Sequence, residues 1–428
     1  MIATLFVPFL ILILLSCPIG ISQALASLLM INEFGVISVE GFTKSMTLGL
    51  NSFTLVAVPL FTFAGDIMGK GGISKRLLNV ANIFFGSMTG GLGVVTIVAC
   101  MFFAAISGAG SAVVAAIGLI MIPLMVQEGY DKDYSTAMVA TSGGIGVIIP
   151  PSIPLVVYAV SANASVTALF TAGFPVGILT GIALIIYTLV TSRKRGYVPQ
   201  HQKRSLRENL HIFWDALPSL LLPVLVLGSI YAGICTPTEA AAFSCVLGIL
   251  LSVFVYKEIS WKELPYMAFR ALVLSVPVSF IIGCSTGFGR ILAISQIPTM
   301  IANAILSLTT SKYFVLLLIN ILLLIVGCFM ETNSSIIILV PIMLPIVTAL
   351  GVSPVQFGFV MVLNLSIGFI TPPFGANLFM ASEVSGVPYT RLARVIWPWI
   401  GVEIIVLLLI TYIPAVSLFL PSLLGMSV

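Results

Sequence analysis

The chain has 428 residues, of which 59% are hydrophobic and only 7% charged, with a formal net charge of +4 and a mean hydropathy of +1.20. A soluble domain carries about 25% charged residues. The composition therefore excludes a soluble globular protein, leaves no stretch polar enough for a separate soluble domain, and describes an all-α polytopic membrane protein.

The first apolar run extends from about residue 4 to 31 with no basic region before it. It reads as a retained membrane segment rather than a cleaved leader. Leu14-Leu15-Ser16-Cys17 resembles a lipoprotein cleavage site, but Pro18 and the missing positive charge argue against one. Further runs long enough to span, ~20 residues at 1.5 Å each, lie near 45–69, 134–160, 167–192, 213–233, 236–256, 266–290, 356–381 and 395–421.

Two regions break this rule. Residues 113–126 and 336–350 read as helices of only ~21–23 Å, short of a ~30 Å hydrocarbon core. Each follows another apolar run, at 88–106 and 313–330, across a short polar join: Ser107-Gly108-Ala109-Gly110-Ser111 and Glu331-Thr332-Asn333-Ser334-Ser335. These are predicted to be helical hairpins that enter the membrane and turn back at mid-depth.

Each hairpin precedes a copy of one motif. The first is Ser142-Gly143-Gly144-Ile145-Gly146-Val147-Ile148-Ile149-Pro150-Pro151, the second Asn364-Leu365-Ser366-Ile367-Gly368-Phe369-Ile370-Thr371-Pro372-Pro373. Proline has no N–H for the carbonyl four residues back, and its ring clashes there. The prolines therefore free the carbonyls of Gly146, Val147, Gly368 and Phe369. An unpaired carbonyl in hydrocarbon costs several kcal/mol, so a broken helix persists only where protein, water or an ion satisfies it. The bland alternative is a pair of proline kinks with no ligand.

The two halves align at an offset of 222 residues without a gap: Met121/Met343, Pro123/Pro345, Gly129/Gly351, Gly146/Gly368 and Pro150/Pro372 coincide. Five predicted crossings separate the hairpins, so the second copy is inverted, as in secondary transporters. The basic residues Arg193, Lys194, Arg195, Lys203, Arg204 and Arg207 mark a cytoplasmic loop. Counting outward with both hairpins re-entrant leaves only Lys44, Lys312 and Arg290 off that side. The N-terminus is then inside and the C-terminus outside. The expected organisation is scaffold helices over 1–69 and a first repeat over 70–166, with hairpin 88–126 and broken helix 134–160. Scaffold helices with linker 193–212 follow over 167–265. The second repeat covers 266–388, with hairpin 313–350 and broken helix 356–381, and a C-terminal helix covers 389–428.

Freed carbonyls, hydroxyls and amide oxygens are hard ligands that suit an alkali cation. The second helix of each hairpin begins at its tip, so its free N–H groups face the same space. Two sodium sites flanking one anion site are expected. Ser107, Gly108, Gly110, Ser111, Gly146 and Pro150 form the first; Thr332, Asn333, Ser334, Gly368 and Thr371 form the second. Any one serine taken singly reads as a cap or a packing residue. Ser111 and Asn333 are also assigned to the substrate, with Arg290 as a bidentate carboxylate anchor. The alternative for Arg290 is snorkelling to the outer interface. Glu331 is read as balancing a bound cation or sitting in water at the tip, and Asp66, Glu239 and Glu403 as pairing structurally or helping to conduct cations, with no ranking among them.

Other patterns are discounted. Gly65 to Lys70 resembles a phosphate loop, but the spacing is one residue short and no Ser or Thr follows the lysine, so no nucleotide is expected. Asp131 and Asp133 read as helix caps. The six cysteines show no CxxC spacing and read as core residues, and the two histidines lie in or beside the basic loop. The basic loop sets topology and is not read as a nucleic-acid patch.

With two hairpin tips, two Pro-Pro breaks and this loop pattern, the chain resembles the large membrane subunit of tripartite ATP-independent periplasmic (TRAP) transporters along nearly its whole length. The likeness is most specific in Ser107–Ser111 with Ser142–Ser152 and in Met330–Ser335 with Ile370–Asn377. It implies work beside a small four-helix membrane subunit and a periplasmic substrate-binding protein, in the lipid of a bacterial inner membrane. It implies sodium-driven import of an organic acid, of the C4-dicarboxylate or sialic acid class, by an elevator-type motion of the hairpins and broken helices. The small subunit is expected as a separate chain. The alternatives are a stand-alone carboxylate symporter, a channel or a membrane enzyme. The last is disfavoured because no acidic pair, histidine cluster or nucleophile motif faces the presumed cavity.

Overall fold

The structure is a computed structural model that describes residues 2–15, 17–197, 205–297, 300 and 311–426. Ser16 of the lipoprotein-like sequence and His201, Lys203 and Arg204 of the basic loop lie outside the described residues. No β-strand occurs among the described residues, and eight helices there are long and apolar enough to cross a membrane, or nine if one bent pair counts as a span.

The chain begins with α1 (Ile2–Leu14) and α2 (Ile19–Phe34). The expected single crossing over 4–31 is not present. Pro18 cannot continue a helix, and the chain turns there, so that α1 packs back on α2. Leu5 and Phe9 share a buried cluster with Ala26, Met30 and Ile31. Losing that crossing removes the count that placed the N-terminus inside. Next, α3 (Val39–Leu50) packs on the far half of a later long helix. A 3₁₀ turn (Phe53–Val56) then leads into α4 (Ala57–Lys70), and α5 (Ile73–Phe85) follows. The stretch from Gly65 to Lys70 is helical, which confirms that it is not a phosphate loop.

The first hairpin is α6 (Gly91–Ser107) and α7 (Gly110–Gln127). The first broken helix is α8 (Lys132–Gly144), a 3₁₀ turn (Ile145–Val147) and α9 (Ile153–Ala162). Asp131 caps α8 by accepting from the Tyr134 N–H at 2.8 Å. Long α10 (Val166–Arg195), α11 (Leu206–Tyr231), α12 (Pro237–Ile249) and α13 (Leu264–Ile294) carry the chain to the second copy. Glu239 completes a capping box with Thr236 at the start of α12. The second hairpin is α14 (Lys312–Phe329) and α15 (Thr332–Ala349). The second broken helix is α16 (Pro354–Gly368) and α17 (Ala376–Ser385). Finally, α18 (Tyr389–Val395), α19 (Trp397–Tyr412) and α20 (Ala415–Leu423) close the chain.

The second arm of each hairpin has 18 residues, longer than expected. Both helices begin earlier because their tips are only two residues long, and the polar residues are helical. Length alone would let either arm cross a bilayer. The tip of the first hairpin instead meets the middle of a broken helix. The Ile153 N–H donates to the Gly108 carbonyl at 3.2 Å. Gly108 is left-handed (φ 63°), and a Cβ there would stand 2.7 Å from the Pro151 carbonyl oxygen.

The copies are inverted, and α19 shows it. Its first turn carries Trp399, whose ring lies 5.6 Å from that of Tyr134 at the base of the first hairpin. Its last turn accepts two hydrogen bonds from Gln356, and Tyr412 donates to the Tyr313 carbonyl at the base of the second. The copies cross where Ser366 donates to the Gly144 carbonyl at 3.1 Å, an offset of 222 residues. Both Pro-Pro pairs carry a cis peptide bond.

Two expected boundaries shift. Although placed among the scaffold helices of 167–265, α10 packs chiefly on α6, α19 and α20. The C-terminal helix α19 packs on α16, α10 and α8. Both therefore belong with the hairpins and broken helices, while α2, α3, α4 and α12 gather around α13 or α4. The six cysteines are unpaired.

One close approach is testable. A Cβ on Gly368 would overlap the main chain of Gly327 in α14. Gly368→Ala should destabilise the protein by roughly 1–3 kcal/mol or more. Gly401→Ala, with open space around it, should be neutral or slightly stabilising. Thermal unfolding in detergent reads both, and equal melting temperatures would disprove the contact.

Candidate functional site

The four freed carbonyls have different fates. Ser152 caps α9 and donates its hydroxyl to the Val147 oxygen at 2.6 Å. The Gly368 oxygen accepts the Thr371 N–H at 3.1 Å, and the Phe369 oxygen accepts the Asn377 N–H at 2.9 Å. Only the Gly146 oxygen finds no donor among the described residues. The expectation of four vacant carbonyls is corrected to one, because local turns and one serine satisfy the rest.

Orphan side-chain oxygens occur on the segments that meet there. Ser107 Oγ, Ser142 Oγ and Asn377 Oδ1 are buried without a hydrogen-bond partner. A Cβ on Gly146 would stand 3.1 Å from the Ala109 oxygen and the Gly110 Cα. One on Gly110 would stand 3.0 Å from the Gly143 oxygen and 3.4 Å from the Asn377 amide. The tip of the first hairpin, the first break and the start of α17 therefore converge. Buried polar groups are ordinarily paired, so three unpaired oxygens on these segments suit a hard cation. Ser107, Gly108 and Gly110 lie at this tip and Gly146 at the break beside it. Pro150 does not face this cluster: its ring packs where a Cβ on Gly173 of α10 would stand. Ser111 lies in the first turn of α7 and lines a neighbouring cavity instead.

The second site is less complete. Glu331 caps α15, accepting from the Ser334 N–H at 3.0 Å and the Asn333 amide at 2.8 Å. That settles Glu331 and Ser334 as capping partners. Thr332 Oγ1 and Asn333 Oδ1 remain buried and unpartnered. Thr371 turns its hydroxyl back to the Ile367 carbonyl at 2.7 Å. Asn364 Oδ1 is also an orphan, while its amide donates to Asn320 at 2.8 Å.

Ser142, Asn364 and Asn377, whose oxygens are buried without partners, were not among the expected site residues. For the first two a signal existed: they are equivalent at the 222-residue offset and polar within apolar runs. For Asn377 there was none, because its counterpart in the first copy is Leu155.

Three cavities border α3, α4 or α13: two reach a hairpin, and the third lies between α3 and α13 on one side and α9 on the other. One of about 420 Å³ is lined by Asp66, Lys70 and Arg270 on one wall, and by Ser107, Ser111 and Met380 on the other. Two more, of about 320 and 340 Å³, lie toward the other end of α13 and share Thr286 and Val160. Arg290 lines none of these three. It lies 20 residues along α13 from Arg270, ~30 Å away, and is exposed. The cavity beside the hairpin tip presents Arg270 and Lys70 instead.

Residues 6–416 match the family model for the DctM component of tripartite ATP-independent periplasmic transporters. The chain belongs to this family. It is 41% identical over 409 residues to the C4-dicarboxylate TRAP transporter large permease protein DctM of Pseudomonas aeruginosa, covering 96% of this chain and 95% of that one. It is 37% identical over 409 residues to the sialic acid large permease SiaM of Vibrio cholerae, covering 95% of each. It is 46% identical over 415 residues to the isethionate permease DctMQ of Oleidesulfovibrio alaskensis, where it matches 97% of this chain but 65% of that one. The YdaH transporter of Alcanivorax borkumensis has a similar fold, with a TM-score of 0.63, 14% identity and coverage of 88% of this chain and 89% of that one. As a TRAP large permease this chain is a multi-pass, ATP-independent transporter component, and its relatives carry permease names rather than enzyme names.

The orphan oxygens make a direct prediction. Sodium should raise the melting temperature of the purified TRAP permease more than equal potassium or choline, since a ligand that binds only the folded state stabilises it. Ser142→Ala and Asn377→Ala should each shrink that shift. An undiminished shift in both would remove them from the cluster.

Proposed function

We propose that this TRAP large permease imports an acidic organic solute across a bacterial inner membrane, coupled to sodium. Its partners are a small four-helix membrane subunit and a periplasmic binding protein. The observation that carries the reading is the juxtaposition of unpaired oxygens at the first hairpin tip with a cavity that presents Arg270. Ser107 belongs to both. A cation held by Ser107, Ser142, Asn377 and the Gly146 carbonyl fixes the tip, and Ser111 in the next turn then faces the solute with free N–H groups behind it. Coupling follows because the solute site forms only when the tip is ordered. The second hairpin supplies a weaker cation site from Thr332, Asn333 and Asn364.

The relatives named above are permeases for isethionate, C4-dicarboxylates and sialic acid. A sulfonate or carboxylate suits the guanidinium of Arg270, which pairs with planar oxyanions through two parallel bonds. Because both hairpins border cavities against α4 or α13, at opposite ends of α13, we infer an elevator-type motion of hairpins, broken helices, α10 and α19 past that group. The Lys70 and Arg270 end is the cytoplasmic one, consistent with the positive-inside bias.

Reconstitution with both partners should give sodium-gradient-driven uptake of one member of a panel of isethionate, succinate and N-acetylneuraminate. Full uptake by the permease alone would replace the three-part reading with a stand-alone symporter. Arg270→Gln should raise the apparent KM about tenfold or more, the scale of one lost charge-assisted hydrogen bond at ~1.5–3 kcal/mol. Arg290→Gln should leave it within about twofold, since that side chain lines none of the three cavities described. The opposite pattern would restore Arg290 as the anchor.

A further inference from the structure

One buried acid has no place in either cation cluster or in the cavities. Glu403 sits near the middle of α19, 1% exposed, and neither of its carboxyl oxygens has a hydrogen-bond partner. Its neighbours define a special position. Oε1 stands 3.5 Å from where a Cβ on Gly144 would be, and Ser366 Oγ stands 2.6 Å from the same point. Gly144 and Ser366 are the equivalent residues through which the two broken helices touch. Glu403 therefore lies at the crossing of the two copies.

Among the described residues no cation reaches it. Of the elements packed on α19, α16 and α20 carry no charged or titratable residue. On α8, Asp133 pairs with Arg391 of α18 at 2.6 Å, and Lys132 stands at the helix start. On α10, Arg195 is held by Asp131 and the Tyr134 ring, with Arg193 and Lys194 beside it in the last turn. Tyr134 and Tyr187 touch Trp399, one turn from Glu403. Tyr389 and Arg394 of α18 lie beyond the start of α19, and Tyr412 and Tyr313 at its far end. None of these makes an ion pair or hydrogen bond with Glu403.

A lone acid inside a membrane protein is costly and ordinarily marks a path for ions or protons. Here Ser366 already spends its proton on the Gly144 carbonyl, so it offers Glu403 only lone pairs. The surroundings hold oxygens and no positive charge. They are also too closely packed for a solute, and Glu403 lines none of the three cavities.

We propose that Glu403, with Ser366 and the Gly144 carbonyl, is a monovalent-cation position at the helix crossing, distinct from both hairpin tips, taking a proton or an alkali ion. A single positive charge there removes the need for the two broken helices to part around a bare carboxylate. Their contact, and the spacing of the two hairpin tips, then depends on that charge. The position rests on the crossing of the two copies and not on sodium coupling at the tips.

Thermal unfolding of the purified full chain tests it without any transported solute. Glu403→Gln keeps the shape and removes the charge. In sodium-free choline buffer, a proton at this position makes wild-type melting fall as pH rises, while Glu403→Gln falls less. At fixed alkaline pH, an alkali ion at this position makes sodium restore the wild type beyond the shift that Glu403→Gln retains from the tips. Either difference supports the proposal and names the cation. Equal dependence of the two proteins on both pH and sodium overturns it. If Glu403→Gln fails to fold, infrared difference spectra of the wild type decide. A buried carboxyl band that responds to acid or sodium supports the proposal, and one that responds to neither refutes it. Loss of the Ser142 and Asn377 effects alone would sink the tip reading and leave this one standing.

Discussion

A main-chain oxygen inside a bilayer has to be satisfied by something, and the rest of this structure follows from that demand. Pro150, Pro151, Pro372 and Pro373 each withdraw a donor from the helix they sit in. The protein answers locally wherever it can: Ser152 covers Val147, the Thr371 N–H covers Gly368, and the Asn377 N–H covers Phe369. At Gly146 it does not. That omission lies where a hairpin tip, a broken helix and the opposite copy meet, on segments that carry three further unpaired oxygens.

Bringing those pieces together needs backbone-to-backbone approach, and glycine makes it available. Gly108 sits against Pro151, Gly146 against Gly110, and Gly327 against Gly368. Any side chain there would hold the hairpin away from the break. The same logic applies between the two groups of helices. A Cβ on Gly65 of α4 would stand 3.0 Å from the Ser107 Cα at the first hairpin tip. That contact is small and smooth. It borders a cavity rather than filling it, as expected of a surface across which one group slides.

The two copies are related but not equal. The first cluster recruits Asn377 from the second copy, whereas Glu331 occupies the tip of the second hairpin as a cap. Arg270 and Arg290 show a comparable asymmetry along α13: one faces the cavity beside the first tip, the other faces outward. The internal repeat thus fixes where sites form, and single substitutions within it fix what each site holds. At Gly144, Ser366 and Glu403 the two broken helices touch beside α19.

The broken helices, the hairpins, the inverted repeat and the family were all legible in the order of residues. Proline's missing N–H and the count of apolar residues are local, covalent properties that no neighbour can alter. The turn at Pro18, the burial of α10 and α19 among the hairpins, and the place of Arg270 in the cavity beside the first tip were not legible. In a membrane protein both lipid and core are apolar, so the period of hydrophobic residues does not say which face of a helix is inside. Which carbonyl stays unpaired, and that Ser142, Asn364, Asn377 and Glu403 are buried without partners, depends on what lies across from them. Only the packing of distant segments could decide that.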